Sequence, residues 1–126
     1  MKKIIQSSSA PAPIGPYSQA VLAGNILFVS GQIPLDPATG QLVTNDIEKA
    51  TSLVMQHLEN ILREAGMDFS HVVKTSIFLA DMNDFPRVNE IYGKFFEGME
   101  PPARETVQVA RLPKDVQVEI SMIAVK

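Results

Sequence analysis

Apolar and polar residues recur along this chain with the two periods that distinguish strands from helices. Within residues 101–113, Val107 and Val109 alternate with Thr106 and Gln108, which is the pattern of a half-buried strand. Prolines bracket the segment, and because proline cannot donate a backbone hydrogen bond, the strand is predicted to begin and end sharply.

Four further strands are predicted from composition and turn signals. Gly24-Asn25 is a turn signal between residues 17–23 and residues 26–32, so these two segments are predicted to form a hairpin. Residues 71–79 and 116–125 are the other two strands. Apolar side chains occupy consecutive positions in several of them, which indicates that both faces of the sheet are covered.

Residues 46–65 carry an apolar stripe with helical spacing. Asn45 is the predicted cap, with Glu48 three residues later in the position of a capping box. Gly66 is predicted to end the helix in a left-handed conformation. His57 lies outside the stripe and is therefore predicted to be a solvated surface residue. The stripe consists of Ile47, Val54, Leu58, Ile61 and Ala65.

A second helix is predicted after the turn formed by residues 81–84. Asp84 or Asn83 caps it, Pro86 is tolerated in its first turn, and Gly98 closes it. Its buried stripe consists of Phe85, Val88, Tyr92 and Phe95.

The predicted order is strand-strand, helix, strand, helix, strand-strand, within a single domain spanning residues 1–126. Residues 7–16 are predicted to form an ordered loop that delivers Tyr17 to a specific place. Two amphipathic helices cover one face of such a sheet. Since the strands are apolar on both sides, we expect a homo-oligomer in which the remaining faces pack against one another.

The composition of the chain excludes several classes of function. The 126 residues carry a formal net charge of −3, which argues against a nucleic-acid surface because phosphate binding usually needs a basic patch. There is no cysteine, so disulfides, thiolate nucleophiles and cysteine metal sites are excluded. The N-terminal apolar run is too short for a signal peptide, and no segment is long enough to span a bilayer. A cytoplasmic protein is the default expectation.

The residue patterns of several common sites are absent. His57 and His71 are far apart, and no cluster of His, Asp or Glu has ligand spacing, so no metal is expected. Gly31 and Gly40 stand alone, outside any phosphate-binding pattern. Ser30 has neither the glycine spacing of a nucleophile elbow nor an obvious histidine partner. The remaining candidates are polar residues near strand ends, namely Tyr17, Ser30, Gly31, Arg104, Thr106 and Glu119.

Two of these candidates carry opposite charges. Arg104 begins the strand in residues 101–113, and its planar guanidinium can hold both oxygens of a small carboxylate; the alternative is an ion pair with a surface acid. Glu119 lies mid-strand among apolar residues, where partial burial would raise its pKa toward a useful range; the alternative is a paired or exposed carboxylate. Arg111 is expected to pair with Asp115 or with Glu119.

Several motifs occur together over nearly the whole chain. They are Ile14-Gly15-Pro16-Tyr17-Ser18-Gln19-Ala20, Phe28-Val29-Ser30-Gly31-Gln32-Ile33-Pro34, Val73-Lys74-Thr75, Asp81-Met82-Asn83-Asp84-Phe85, Pro102-Ala103-Arg104, Val109-Ala110-Arg111-Leu112-Pro113-Lys114 and Val118-Glu119-Ile120. At these separations they resemble the RidA family, also called YjgF/YER057c/UK114. Any one motif would be weak, and their combination makes the resemblance specific.

The resemblance implies a chorismate-mutase-like α+β domain with a mixed sheet and two helices on one face. It also implies a homotrimer whose sheets form a central barrel, with three sites between subunits. The implied activity is that of an enamine/imine deaminase. Such an enzyme hydrolyses 2-iminobutanoate and 2-iminopropanoate, products of pyridoxal-phosphate dehydratases, to 2-keto acids and ammonia. No cofactor, nucleic-acid partner or membrane is implied.

The resemblance also implies roles for individual residues. Arg104 resembles the family's carboxylate-binding arginine, and Glu119 resembles the glutamate that places or activates water. Tyr17 resembles the aromatic residue that closes the pocket, and Ser30-Gly31 resembles the backbone that lines it. Asn89 resembles a further site-lining asparagine, although a solvated helix residue would give the same signal.

Thr106 departs from the family's pattern, because many members have cysteine at this position. A thiol is therefore not essential here, and a hydroxyl or the local backbone carbonyl must suffice. The alternative function is a non-catalytic metabolite-binding regulator or a chaperone-like protein. Ribonuclease activity, also credited to the family, is disfavoured by the acidic balance and the lack of an aromatic-basic patch.

Overall fold

The computed structural model describes residues 1–126 and contains one six-stranded mixed sheet. The strands are β1 (Lys2–Ile5), β2 (Ala20–Ala23), β3 (Ile26–Gln32), β4 (Val72–Leu79), β5 (Ala103–Gln108) and β6 (Val118–Val125). Their order across the sheet is β1-β2-β3-β6-β4-β5, and only β4 and β5 run parallel to each other.

Two helices, α1 (Ile47–Glu64) and α2 (Phe85–Lys94), pack against each other and cover one face of the sheet. Helix α2 lies in the connection between the parallel strands β4 and β5, since a parallel pair requires a long crossover. The predicted α+β fold, a mixed sheet with both helices on one side, is therefore confirmed. Neither helix combines the length and the apolar character needed to cross a lipid bilayer.

The core lies between the helices and the inner face of the sheet. Alternate residues of β6 are all buried, and so is every member of the predicted α1 stripe. Full burial of one aliphatic side chain is worth about 1.5–3 kcal/mol, so this layer is a main source of stability. The buried residues of β6 are Val118, Ile120, Met122 and Ala124.

The opposite face of the sheet, which we call the open face, carries apolar side chains that no helix covers. Phe28 on β3 is 47% exposed and pairs with Ile123 on β6. Val107 on β5 is 41% exposed and pairs with Phe78 on β4. The prediction that the strands are apolar on both sides is confirmed, and an exposed apolar surface of this kind is typical of an interaction site.

Several predicted boundaries are wrong. The strand predicted within residues 101–113 spans only Ala103–Gln108, because its partner β4 ends at Leu79. Helix α1 is capped by Asp46, whose carboxylate accepts a hydrogen bond from the Lys49 amide at 3.0 Å, and not by Asn45. Both residues suit a cap, and the geometry of the preceding loop selects the second. The strand predicted over residues 17–23 begins only at Ala20, because the preceding residues belong to a loop with its own hydrogen bonds.

Strand β1 was not predicted. Its four residues are two lysines followed by two isoleucines, so they show no alternation. The strand forms because β2 presents a free edge, with which it pairs from Lys2 opposite Ala23 to Ile5 opposite Ala20. Charged side chains on an edge strand discourage further strand pairing, which is consistent with the two lysines.

His57 is buried, contrary to the prediction that it is solvated. The residue is 1% exposed, and its Nε2 atom lies 2.7 Å from the Leu35 carbonyl oxygen. Because a carbonyl only accepts, Nε2 carries the hydrogen, and the buried Nδ1 has no partner. The loop that contains Leu35 covers this side of α1, and burial lowers the pKa of His57.

We expect the free energy of unfolding to fall as the pH drops below 6.5, the ordinary pKa of histidine. The unfolded chain binds a proton that folded His57 excludes, so stability rises with pH between the lowered folded pKa and the ordinary value. The slope contributed by this residue is at most ~1.4 kcal/mol per pH unit. Urea unfolding across this range would measure it.

His57→Gln is the informative variant, because its amide can still donate to Leu35 but does not titrate. His71→Gln is the matched control at a more exposed site. Identical pH slopes for the wild type and His57→Gln would contradict the expectation.

Candidate active site

Glu119 lies on the open face of β6, opposite Phe78 in the register with β4. Its side chain is half-buried, and burial raises the pKa of its carboxyl group. No salt bridge within the chain neutralises it: Arg111 pairs instead with Asp115, at 2.6 Å between Nε and Oδ1. Glu119 is therefore an unpaired carboxyl group with a raised pKa, as acid–base chemistry requires.

Gly31 leaves the space that the Glu119 carboxyl group occupies. The register between β3 and β6 shifts between Val29 and Gln32, so Ser30-Gly31 lies at an irregularity of the bulge type. A Cβ atom on Gly31 would lie 2.8 Å from both Cδ and Oε2 of Glu119, so any side chain at residue 31 would push the carboxyl group out of this position. Close approach, and not an unusual backbone angle, is the reason for glycine at this position.

Ser30 connects β3 to the loop that carries Tyr17. Its Oγ donates to the Ser18 carbonyl at 2.6 Å, and its amide donates to the Gln19 carbonyl at 2.9 Å. The Gln32 side chain donates in turn to the Ser30 carbonyl at 3.2 Å. The Ser30 hydroxyl thus ties the loop to β3.

Gln19 organises the loop formed by residues 7–16. Its Nε2 donates to the carbonyls of Ser7 at 3.1 Å, Ala10 at 3.4 Å and Pro11 at 2.8 Å. Its Oε1 accepts from the Ser7 amide at 2.7 Å, and the residue is 1% exposed. A buried amide both donates and accepts, so it satisfies a loop backbone that has no strand partner.

A hollow of about 420 Å³, which we call the Glu119 pocket, opens beside this carboxyl group. Four of the predicted site residues meet in it, and its size lies in the usual range for small-molecule sites. Tyr17 is 52% exposed, and its hydroxyl accepts a long hydrogen bond of 3.4 Å from the Ile14 amide. The lining residues are Ile14, Tyr17, Ser30, Gly31, Ile33, Pro113, Lys114 and Glu119.

Arg104 lies on the opposite, helix-covered face of the sheet, on edge strand β5. It pairs in register with Thr75, which is fully buried. Its Nη1 donates to Asn89 Oδ1 at 2.8 Å, and its Cζ lies 5.5 Å and 5.0 Å from the ring centroids of Phe85 and Tyr92. Helix α2 thus holds the guanidinium by a hydrogen bond and two cation–π contacts, without an acidic partner.

Thr106 shares the helix-covered face of β5 with Arg104. Its Oγ1 is buried and has no hydrogen-bond partner. Such hydroxyls are uncommon, and this one leaves a donor and two acceptor positions unused. We refer to Arg104, Asn89 and Thr106 as the Arg104 group.

The sheet itself separates the Arg104 group from the Glu119 pocket. The pocket opens on the open face at β3 and β6, whereas the group lies on the other face at β5, two strands from β6. A ligand of three or four carbons bound to a single copy of the chain cannot touch both. The structure therefore brings the predicted site residues together in two sets and does not unite them.

Sequence patterns did not point to four of the residues that line the Glu119 pocket, Ile14, Ile33, Pro113 and Lys114. The first three contribute apolar wall, which has no distinctive signal in a sequence. Lys114 lies in the turn between β5 and β6, and a lysine in a turn looks like any surface residue.

A larger hollow of about 570 Å³ lies at the N-terminal end of α1 and contains none of the predicted site residues. Short polar side chains from the preceding loop and the first turns of the helix line most of it. No buried unpaired group faces it, and the chain has no cluster of ligands for a metal ion. Chemical character, and not volume, distinguishes the Glu119 pocket.

The chain is a small α+β protein with two candidate half-sites. One face of the sheet carries a carboxyl group with a raised pKa, and the other carries a guanidinium that has no acidic partner. The sequence profile of the endoribonuclease L-PSP family matches residues 7–126, and the chain belongs to this family, which is that of YjgF and RidA. The resemblance found in the motifs is thereby confirmed.

Relatives in the family carry different names. A RutC family protein of Pyrococcus horikoshii is 51% identical over 126 residues, which cover 100% of this chain and 99% of that protein. The 2-iminobutanoate/2-iminopropanoate deaminase of Mus musculus is 49% identical over 126 residues, which cover 100% of this chain and 93% of that protein. The crystal structure of E. coli TdcF with bound serine superposes with a TM-score of 0.95 at 43% identity, covering 98% of both chains.

Gln19→Leu should destabilise the protein by about 1–3 kcal/mol, because the loop carbonyls and the Ser7 amide lose their buried partner. Gln56→Leu, on the exposed side of α1, is the matched control. Thermal or urea unfolding would measure both variants. A loss for Gln19→Leu no larger than that of the control would show that the amide does not hold the loop.

Gly31→Ala should displace the Glu119 carboxyl group, because the added Cβ atom would overlap it, and should cost about 1 kcal/mol of folding free energy, since a flexible side chain can move aside. In the double variant Gly31→Ala/Glu119→Ala, most of that loss should disappear, which a double-mutant cycle would measure. Gly93→Ala is the control, since nothing lies within 4 Å of an added Cβ there. Additive losses in the cycle would refute the proposed contact.

Proposed function

We propose that this protein is an enamine/imine deaminase that hydrolyses 2-iminobutanoate and 2-iminopropanoate to 2-keto acids and ammonia. We also propose that it acts as a homotrimer with each site between two subunits. The deaminase names of its mammalian relatives support the reaction. The serine bound to TdcF supports a ligand of amino-acid size. The proposal includes no metal and no cofactor.

The separation of the two half-sites is the observation that carries the proposal. Each half-site lacks what the other has: the Glu119 pocket has no guanidinium, and the Arg104 group has no acid–base residue. A second copy packed on the open face would bury the exposed side chains of Phe28 and Val107. Because Arg104 lies on edge strand β5, we propose that this edge of the partner reaches the rim of the interface and places the partner subunit's Arg104 at the Glu119 pocket of this chain.

In the assembled site, Arg104 holds the substrate carboxylate through two parallel hydrogen bonds. Fixing this group removes the freedom of the substrate to tumble and presents C2 to a water molecule. Asn89 and the two aromatic rings keep the guanidinium in place, so little ordering is needed when the ligand binds. Tyr17, exposed at the mouth of the pocket, closes over the substrate.

Glu119 moves the protons. As a carboxylate it accepts a proton from the water that attacks C2 of the protonated imine, which yields a carbinolamine. The resulting carboxylic acid protonates the amino group, ammonia leaves as the C2–O bond becomes a carbonyl, and the hydroxyl proton returns to Glu119. That proton passes to ammonia, so ammonium and the 2-keto acid leave and the carboxylate is restored. A raised pKa suits a residue that must both accept and donate protons.

The rate acceleration that imine hydrolysis requires over the reaction in water is modest. Imines of this class already hydrolyse in water, and each ~1.4 kcal/mol removed from the barrier is a factor of ten in rate. Burial of the reacting centre and one fixed carboxylate are sufficient for such a gain, and no covalent intermediate is needed.

Arg104→Ala should abolish imine hydrolysis, because the substrate carboxylate loses its partner. Arg104→Lys should lose most of the activity, because an ammonium group cannot form the two parallel hydrogen bonds of a planar guanidinium. Threonine dehydratase would generate the imine, and semicarbazide trapping would measure how fast it disappears. Arg63→Ala, an exposed arginine of α1, is the matched control. Acceleration by Arg104→Ala equal to that of the wild type would reject the assigned role.

Tight 2-keto acid binding by a wild type without turnover would favour a metabolite sensor.

Mixing two inactive variants tests whether the site lies between subunits. Arg104→Ala and Glu119→Gln subunits, assembled together at equal amounts, should regain about one quarter of the wild-type activity, since one interface in four then carries both intact residues. Each variant alone should remain inactive. Failure to recover activity after verified subunit exchange would mean that both residues act from the same chain.

A further inference from the structure

Lys114 lies in a strained turn between β5 and β6. Its φ is 56° and that of the next residue, Asp115, is 57°, so two consecutive residues other than glycine adopt the left-handed conformation. This region disfavours residues with a Cβ atom, and lysine has no side-chain group that compensates locally as asparagine or aspartate does. Strain of this kind tends to persist where it serves a function.

The neighbouring residues hold the turn in this shape. Arg111 clamps Asp115 with two hydrogen bonds, Nε to Oδ1 at 2.6 Å and Nη2 to Oδ2 at 3.1 Å. The Asp115 amide donates to the Leu112 carbonyl at 3.0 Å. Arg111 and Asp115 thus act on the backbone around Lys114 and leave the lysine itself unpaired.

Lys114 lines the Glu119 pocket and is its only cationic residue. No hydrogen bond or ion pair within the chain engages its ammonium group. Apart from Glu119, the other lining residues are uncharged, and Ile14, Ile33 and Pro113 give the wall an apolar character. A free cation among mostly uncharged neighbours is suited to a ligand whose far end is anionic.

We propose that Lys114 recognises a second carboxylate on the side chain of the substrate, so that the pocket accepts 2-imino dicarboxylic acids and their 2-keto products as well as short monocarboxylic ones. This inference rests on the proposed function, in which Arg104 holds the C1 carboxylate and C2 faces Glu119. The substrate side chain then extends toward the remaining wall, where Lys114 lies. The pocket of about 420 Å³ has room for a ligand longer than four carbons.

Lysine suits this task better than arginine. Its ammonium is a compact charge on a flexible stem, so it can meet carboxylates on side chains of different lengths. It can also turn into solvent when the side chain is a methyl or ethyl group. Specificity would then depend on the strained turn, which places this flexible side chain at the pocket wall.

Titration calorimetry with 2-ketobutyrate and 2-ketoglutarate as probes tests the inference. The measured quantity is the ratio of the two dissociation constants. Lys114→Met should shift this ratio about fivefold against the dicarboxylate, the scale expected for loss of one partly solvated ion pair. Lys114→Arg should retain most of the wild-type ratio. Lys49→Met, which removes an equal charge on the first turn of α1 outside the pocket, should leave the ratio unchanged.

Lys114→Gly separates folding from recognition. Glycine relieves the left-handed strain, so this variant should melt at a higher temperature than the wild type and still lose selectivity for the dicarboxylate. An unchanged ratio in Lys114→Met or Lys114→Gly, or an equal loss of affinity for both probes, would overturn the role of Lys114.

The wild type distinguishes failure of the inference from failure of the proposed function. Binding of 2-ketobutyrate with imine turnover, but without 2-ketoglutarate binding, would reject only the second carboxylate site. Absence of both binding and turnover would reject the deaminase proposal, and with it the inference.

Discussion

Two helices cover one face of a six-stranded sheet and leave the other face open, and the location of every candidate site residue depends on this asymmetry. Alternation along β6 buries Val118 and Ile120 under the helices and turns Glu119 to the open side. On β5 the same alternation turns Arg104 toward α2. The residues best suited to bind and to hydrolyse a small acid therefore lie on different faces. In the proposed assembly, a second copy packed on the open face would resolve this separation and would cover the exposed apolar side chains at the same time.

The position of the Glu119 carboxyl group is set by neutral groups. The Gln19 amide holds the loop that leads to Tyr17, and Ser30 ties that loop to β3 by two hydrogen bonds. Because Gly31 has no side chain, the Glu119 carboxyl group fits against its backbone, and Gly31 offers this carboxyl group no charged partner. An ion pair would have stabilised the carboxylate and lowered its pKa, whereas burial raises it. The supporting contacts thus set the position of the Glu119 carboxyl group and leave its pKa raised.

Helix α1 and strand β6 were predictable because their periods reflect burial on one side. His57 and β1 were not. The imidazole is covered by a loop that approaches α1 from a distant part of the sequence, and helical periodicity carries no record of such a contact. Strand β1 forms because β2 has a free edge, which is a property of the partner strand. The cap of α1 moved from Asn45 to Asp46 because the two side chains are almost equivalent as caps and only loop geometry distinguishes them.

Local pattern and motif spacing alone determined the two helices, five of the six strands, the apolar character of both sheet faces and the family. Each of these depends on neighbours within a few residues or on residues the family shares. The division of the site did not follow from the sequence, because Arg104 and Glu119 are both polar residues on neighbouring parts of a predicted sheet. Which face each one occupies is decided by strand order and register, and these arise from contacts between distant segments. Lys114 was not predicted to line the pocket for the same reason: tertiary packing places it in the pocket that contains Glu119, and no local sequence pattern records that packing.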